Sequence, residues 1–153
     1  MWAKRGIQPK IHSAPTQEKV AFHGFINART GELFTCECDT FNYETFMDAV
    51  RQFRKESDLS RKICVVLDNA SWHKKGVRLM KENKEISNHC EFLFLPPYSP
   101  ELNPIERVWR ITRKERTHNK YFHSLPILKD VLLSYFSKFC KPNEKFRSLC
   151  ANI

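Results

Sequence analysis

The stretch KICVVLDNA constrains the architecture of this chain more than any other. Ile63 to Leu67 is an uninterrupted apolar run that ends on Asp68 and Asn69, residues that favour turns. Such a run reads as a strand covered on both faces, which is what a parallel strand inside an α/β fold requires. The flanking sequence supplies helices to cover it. Upstream, Asn42 can cap a helix in which Phe46, Ala49, Val50 and Phe53 fall at i, i+3, i+4 and i+7. Downstream, KKGVRLMKENKE reads as a short basic surface helix. CEFLFLPP then reads as a second core strand, ended by prolines that cannot donate to a ladder.

Before this unit, KVAFHGFIN and LFTCEC flank ARTGE, a turn signal, and read as a hairpin. After it, one helix is expected from about Pro104 to Tyr121 and another from about Leu125 to Phe139. In the second, Leu128, Val131, Leu132 and Tyr135 form an apolar stripe. Residues 1–18 show no period and read as an irregular segment. The order β-β-α-β-α-β-α-α predicts an α/β layer sandwich with parallel later strands. With 153 residues and no internal boundary, a single domain with its core at about 19–139 is expected.

Composition excludes several classes. The 41% hydrophobic content argues against a mostly disordered chain, and no run is long and apolar enough to span a bilayer. MWAKRGIQPK is basic but has no apolar core of a signal peptide, so a cytoplasmic, nucleoid-associated location is expected. The excess of 26 Lys+Arg over 17 Asp+Glu, a formal +9, suits a polyanionic partner such as nucleic acid. The six cysteines include no Cys-x-x-Cys pair, and the spacing fits reduced, mostly buried thiols better than a zinc site.

Two acids stand at places where chemistry gathers. Asp68 follows a strand expected to be central, at the edge where α/β sheets bind ligands. Its other reading is ordinary turn chemistry. Glu106 falls at N3 of a helix with Asn103 as N-cap and Pro104 at N1, so a capping-box-like role also accounts for it. The strand from Cys90 to Leu95 should lie beside the one ending at Asp68, and PPYSPELN leads back to the same edge. Two carboxylates gathered there would repel each other unless a divalent cation lay between them. Mg²⁺ and Mn²⁺ prefer such oxygen ligands.

Together, VVLDNASWH at 65–73 and FLFLPPYSPELNPIERVW at 92–109 resemble the catalytic domain of a DDE transposase. The nearest likeness is to the bacterial insertion-sequence branch related to mariner elements, and it runs from Trp2 to about Phe139. The resemblance implies an RNase H-like mixed sheet flanked by helices. It also implies metal-dependent cleavage and transfer of DNA strands at element ends. Asp68 and Glu106 would be the second and third acids of the catalytic triad, holding Mg²⁺ or Mn²⁺, two ions in the complete enzyme. The implied partners are element ends and target DNA, bound by a homodimer, with no membrane. The family's first aspartate ends the first strand of the fold, ahead of the segment similar to MWAKRGIQPKI. No Asp or Glu precedes Glu18 here. The resemblance therefore implies that this chain lacks that strand, its acid and a helix-turn-helix region. It would then be a remnant, part of a split frame or the product of a misplaced start, with little strand-transfer activity alone.

Supporting residues are also expected. His73 can touch phosphate or orient a metal-bound water, or be a surface histidine at a helix start. Asn69 can orient Asp68 or shape its turn. Arg107, Arg110, Arg113 and Lys114 lie on the helix after Glu106, and Arg110 and Arg113 share its side at i+4 and i+7. They suit contacts to a phosphate backbone. Trp109 should pack with Ile105 and Thr112 on the core face. Two other functions fit the same residues: a metal-dependent nuclease outside transposition, and a non-catalytic DNA-binding or regulatory remnant.

Overall fold

The computed structural model describes residues 19–58, 60–85 and 90–151. The irregular segment expected at 1–18 lies outside them. Strands β1 (Ala21–Ile26) and β2 (Leu33–Cys38) form the expected antiparallel hairpin, with Phe25 opposite Phe34 and Ile26 opposite Leu33. Its turn uses Gly31 at φ 75°. A Cβ there would also lie 2.4 Å from the Arg147 nitrogen, so glycine is required twice over.

Helix α1 (Tyr43–Glu56) starts on a complete capping box: Asn42 accepts from the Thr45 N–H at 2.9 Å, and Thr45 Oγ1 accepts from the Asn42 N–H at 3.2 Å. The chain then forms β3 (Ile63–Leu67), α2 (Ser71–Glu82) and β4 (Cys90–Phe94). Strands β3 and β4 pair in parallel with Ile63 opposite Cys90, and the Leu95 N–H extends the ladder to the Leu67 carbonyl at 2.8 Å. Helix α2 begins three residues earlier than its basic segment suggested, which places His73 in its first turn.

One apolar cluster joins these parts. Phe46, Met47 and Val50 of α1 pack with Val65, Leu67, Phe92, Val77 and Met80. Phe25 reaches the same layer and stacks on Phe53 with centroids 4.8 Å apart. The second cluster lies on the opposite face of the hairpin. There Phe22 and Leu33 meet α3 (Pro104–Thr112), α4 (Leu125–Phe136) and α5 (Glu144–Cys150) through Val108, Leu132, Tyr135, Phe136 and Phe146. Helix α3 sits so close that a Cβ on Gly24 would lie 2.5 Å from the Trp109 ring.

Three expectations change. Ile63–Leu67 is not covered on both faces: Val66 is 50% exposed and its neighbour Leu93 49%. The reason is that α1 and α2 occupy one face of β3–β4, while α3, α4 and α5 gather on the hairpin. The four strands form two separate ladders among the described residues rather than one sheet. The helix begun at Pro104 ends well before Tyr121. It passes into a π-helical turn at Arg113–Thr117, where Glu115 accepts from Lys145 Nζ at 2.8 Å and from the Tyr135 hydroxyl at 2.9 Å. Beyond α4, the sequence reading missed α5, whose cap Asn143 accepts from the Phe146 N–H at 2.9 Å.

Candidate active site

Asp68 is the first residue past β3, on the C-terminal edge of the parallel pair. Its Oδ1 accepts two hydrogen bonds, from the Ala70 N–H at 3.0 Å and from His73 Nδ1 at 2.6 Å. Oδ2 accepts none from the described residues. The His73 side chain is 12% exposed against 46% for Asp68. Its ring lies 3.7 Å from the Trp72 ring centroid and 4.7 Å from that of Phe46. Burial pushes the His73 imidazole below its ordinary pKa, outweighing the upward pull of the Asp68 charge. A neutral ring that contacts a carboxylate through Nδ1 must carry its proton there, because the carboxylate can only accept.

Asn69 contributes to the loop rather than to Asp68. Its amide donates to the Leu95 carbonyl at 2.5 Å, clasping the chain where the proline segment leaves β4. Pro96 and Pro97 follow, then Tyr98 at φ 60°, fully exposed. A 3₁₀ turn (Pro100–Leu102) leads to Asn103 and α3. Here the capping reading of Glu106 fails. The Asn103 side chain makes no cap bond, and the Glu106 carboxylate, which is exposed, forms no hydrogen bond or ion pair with the described residues. Its position is nonetheless firm, because Val108 is fully buried and Trp109 packs edge-on against Phe136 at 5.8 Å. That core face is the one expected for Ile105, Trp109 and Thr112.

The basic residues separate into two groups. Arg107 donates Nη1 to the Leu149 carbonyl at 2.6 Å and Nη2 to the Glu101 carbonyl at 3.0 Å. It ties α3 to α5 and to the proline loop. Arg110, Arg113 and Lys114 are exposed and make no ion pair with the described residues. The Arg113 N–H still reaches the Trp109 carbonyl, so helical spacing holds along Glu106, Arg110 and Arg113. Lys114 follows within the π-helical turn.

No three His, Cys, Asp or Glu side chains among the described residues gather closely enough to hold a metal ion. All six cysteines are unpaired, but the expectation that they are mostly buried fails, because only Cys150 is buried and Cys64 and Cys140 are exposed. No helix of the described residues is long and apolar enough to cross a membrane. The sequence reading missed His23, a buried histidine beneath Trp72 whose ring centroid lies 5.7 Å away. An isolated histidine on a strand carries no signal that it will be buried.

A family model described as DDE superfamily endonuclease matches residues 1–129, a span that contains Asp68, Glu106 and the loop between them. The chain belongs to the DDE superfamily endonucleases. It is 24% identical over 126 residues to the insertion element IS630 uncharacterized 39 kDa protein of Shigella sonnei, covering 81% of this chain and 36% of that protein. It is also 31% identical over 85 residues to the uncharacterized protein y4pE/y4sA of Sinorhizobium fredii, covering 56% of each. This DDE superfamily chain thus spans about half or less of the curated relatives it matches.

Proposed function

We propose that this chain carries the catalytic region of an insertion-element transposase of the mariner-related branch, cleaving and transferring DNA strands with divalent metal ions. The observation that carries this reading is the pair of uncommitted acids. Asp68 keeps Oδ2 open at the strand edge, and Glu106 leaves its carboxylate open at a helix start that it does not cap. An all-oxygen donor set of this kind fits Mg²⁺ or Mn²⁺.

Asp68 and Glu106 would hold the metal. When bound, two such ions activate a water or a 3′-hydroxyl and stabilise the leaving oxygen of a phosphodiester. The residues of the chain do the remaining work. His73 and Ala70 hold Asp68 in place, Asn69 clasps the loop that leads to Glu106, and Arg110, Arg113 and Lys114 attract the DNA backbone. Element ends and target DNA are the substrates, bound by a homodimer.

The formal +9 charge and the exposed Arg110, Arg113 and Lys114 support a second reading, a non-catalytic DNA-binding remnant. The two readings separate in one titration of element-end DNA, with Mg²⁺ and with EDTA. A metal-binding catalytic region loses affinity in EDTA and in Asp68→Asn or Glu106→Gln, whereas a remnant binds equally in all four conditions. Mg²⁺-dependent nicking of element-end DNA by the purified chain would support the catalytic reading, and its absence at saturating Mg²⁺ would favour the non-catalytic one.

For the basic row, Arg110→Ala should weaken DNA binding similarly on all sequences. It should also reduce the slope of log K against log salt by about 0.9. An unchanged slope would remove Arg110 from the interface.

A further inference from the structure

The two oxygens of Asp68 are not equivalent. Oδ1 is held by the Ala70 N–H and by His73 Nδ1, and Oδ2 is held by nothing among the described residues. The His73 ring has little freedom to release its oxygen. Trp72 lies against one side and Phe46 meets it edge-on, while Trp72 itself packs on His23 and Phe41. The contact is short for a nitrogen and an oxygen, as expected of a donor facing a charged acceptor.

We propose that His73 is a positioning residue that makes Asp68 a one-oxygen ligand: its Nδ1–H engages Oδ1 and leaves Oδ2 as the sole donor to a divalent cation. This replaces the expected contact of His73 with phosphate or metal-bound water, and it rests on the metal reading of Asp68. Without the bond, the carboxylate could rotate about its Cβ–Cγ axis and present either oxygen. Outer partners of this kind alter metal affinity about 10–100-fold when removed.

The first measurement is the ring tautomer of His73 in the full wild-type chain, read from long-range ¹H–¹⁵N correlations near neutral pH. The expected form is Nδ1–H with bare Nε2, reverting to mostly Nε2–H in Asp68→Ala. A wild-type Nε2–H tautomer overturns the positioning role, and no variant has to fold for that result. The second is Mn²⁺ titration, followed by paramagnetic broadening at residues 68–73. His73→Asn places an amide donor near the former Nδ1, whereas His73→Gln moves it out toward the place of Nε2. Mn²⁺ affinity should stay within about threefold of wild type in the Asn variant and fall about tenfold or more in the Gln variant. Equal losses in both overturn the proposal. If wild type shows the expected tautomer but no Mn²⁺ broadening, the pair stands and the metal reading of Asp68 fails, taking the cation role with it.

Discussion

Phe146→Ala is expected to destabilise the chain by about 3–5 kcal/mol, the range for removing a large aromatic side chain from a closed core. Phe146 is fully buried and stacks on Phe139 with centroids 4.1 Å apart. The helix that carries it has only 7 residues, too few to persist without its packing. The consequence reaches the candidate site, because Arg107 is anchored on the carbonyl of Leu149 in the same helix. Equilibrium urea unfolding provides the check. The midpoint should fall with little change in slope, and hydrogen exchange at residues 105–107 should quicken. A loss under about 1 kcal/mol would mean that α5 is not part of the core.

The second large effect is a loss of stability in mild acid. His23 is 5% exposed and its pKa is lowered to about 4, first by burial and then by the neighbouring His73. Its Nε2 lies 3.0 Å from Thr45 Oγ1. That hydroxyl donates to the Thr40 carbonyl, so it accepts from the ring. Phe41, Phe46 and Trp72 surround the imidazole and offer no charge to a proton on it. The unfolded chain binds that proton below about pH 6.5, and the folded chain only near pH 4. Stability from this group is therefore complete above pH 6.5 and declines as pH falls from there toward 4. Between pH 7 and pH 5 the loss should be about 2 kcal/mol. Urea midpoints at the two pH values, compared between wild type and His23→Gln, isolate this contribution from that of the carboxylates. An equal pH dependence in the two proteins would show that His23 is not protected from protonation.

Local rules made much of this molecule legible. Asn42 and the stripe of Phe46, Ala49, Val50 and Phe53 identify α1, and the parallel pairing of β3 with β4 follows from the helix between them. The motif around Asp68 and Glu106 led to the endonuclease family. Periodicity describes one element at a time, however, and cannot say which helix lies over which face. That is why Val66 and Leu93 were expected inside and are half exposed. It is also why α5, with a single turn or two of weak pattern, went unread.

What the sequence determined by itself is the type and order of most elements, the positions of both acids and the family they belong to. Each of these depends on residues close together in the chain. The tertiary structure decided how the polar groups were allotted. Arg107 went to a carbonyl 42 residues away, Asn69 to one 26 residues away, and His73 to one oxygen of Asp68 across the first turn of α2. A hydrogen bond forms only within about 3 Å and a narrow range of angles. Which donor meets which acceptor is therefore set by the packing of whole helices and strands, after local preference has done its part.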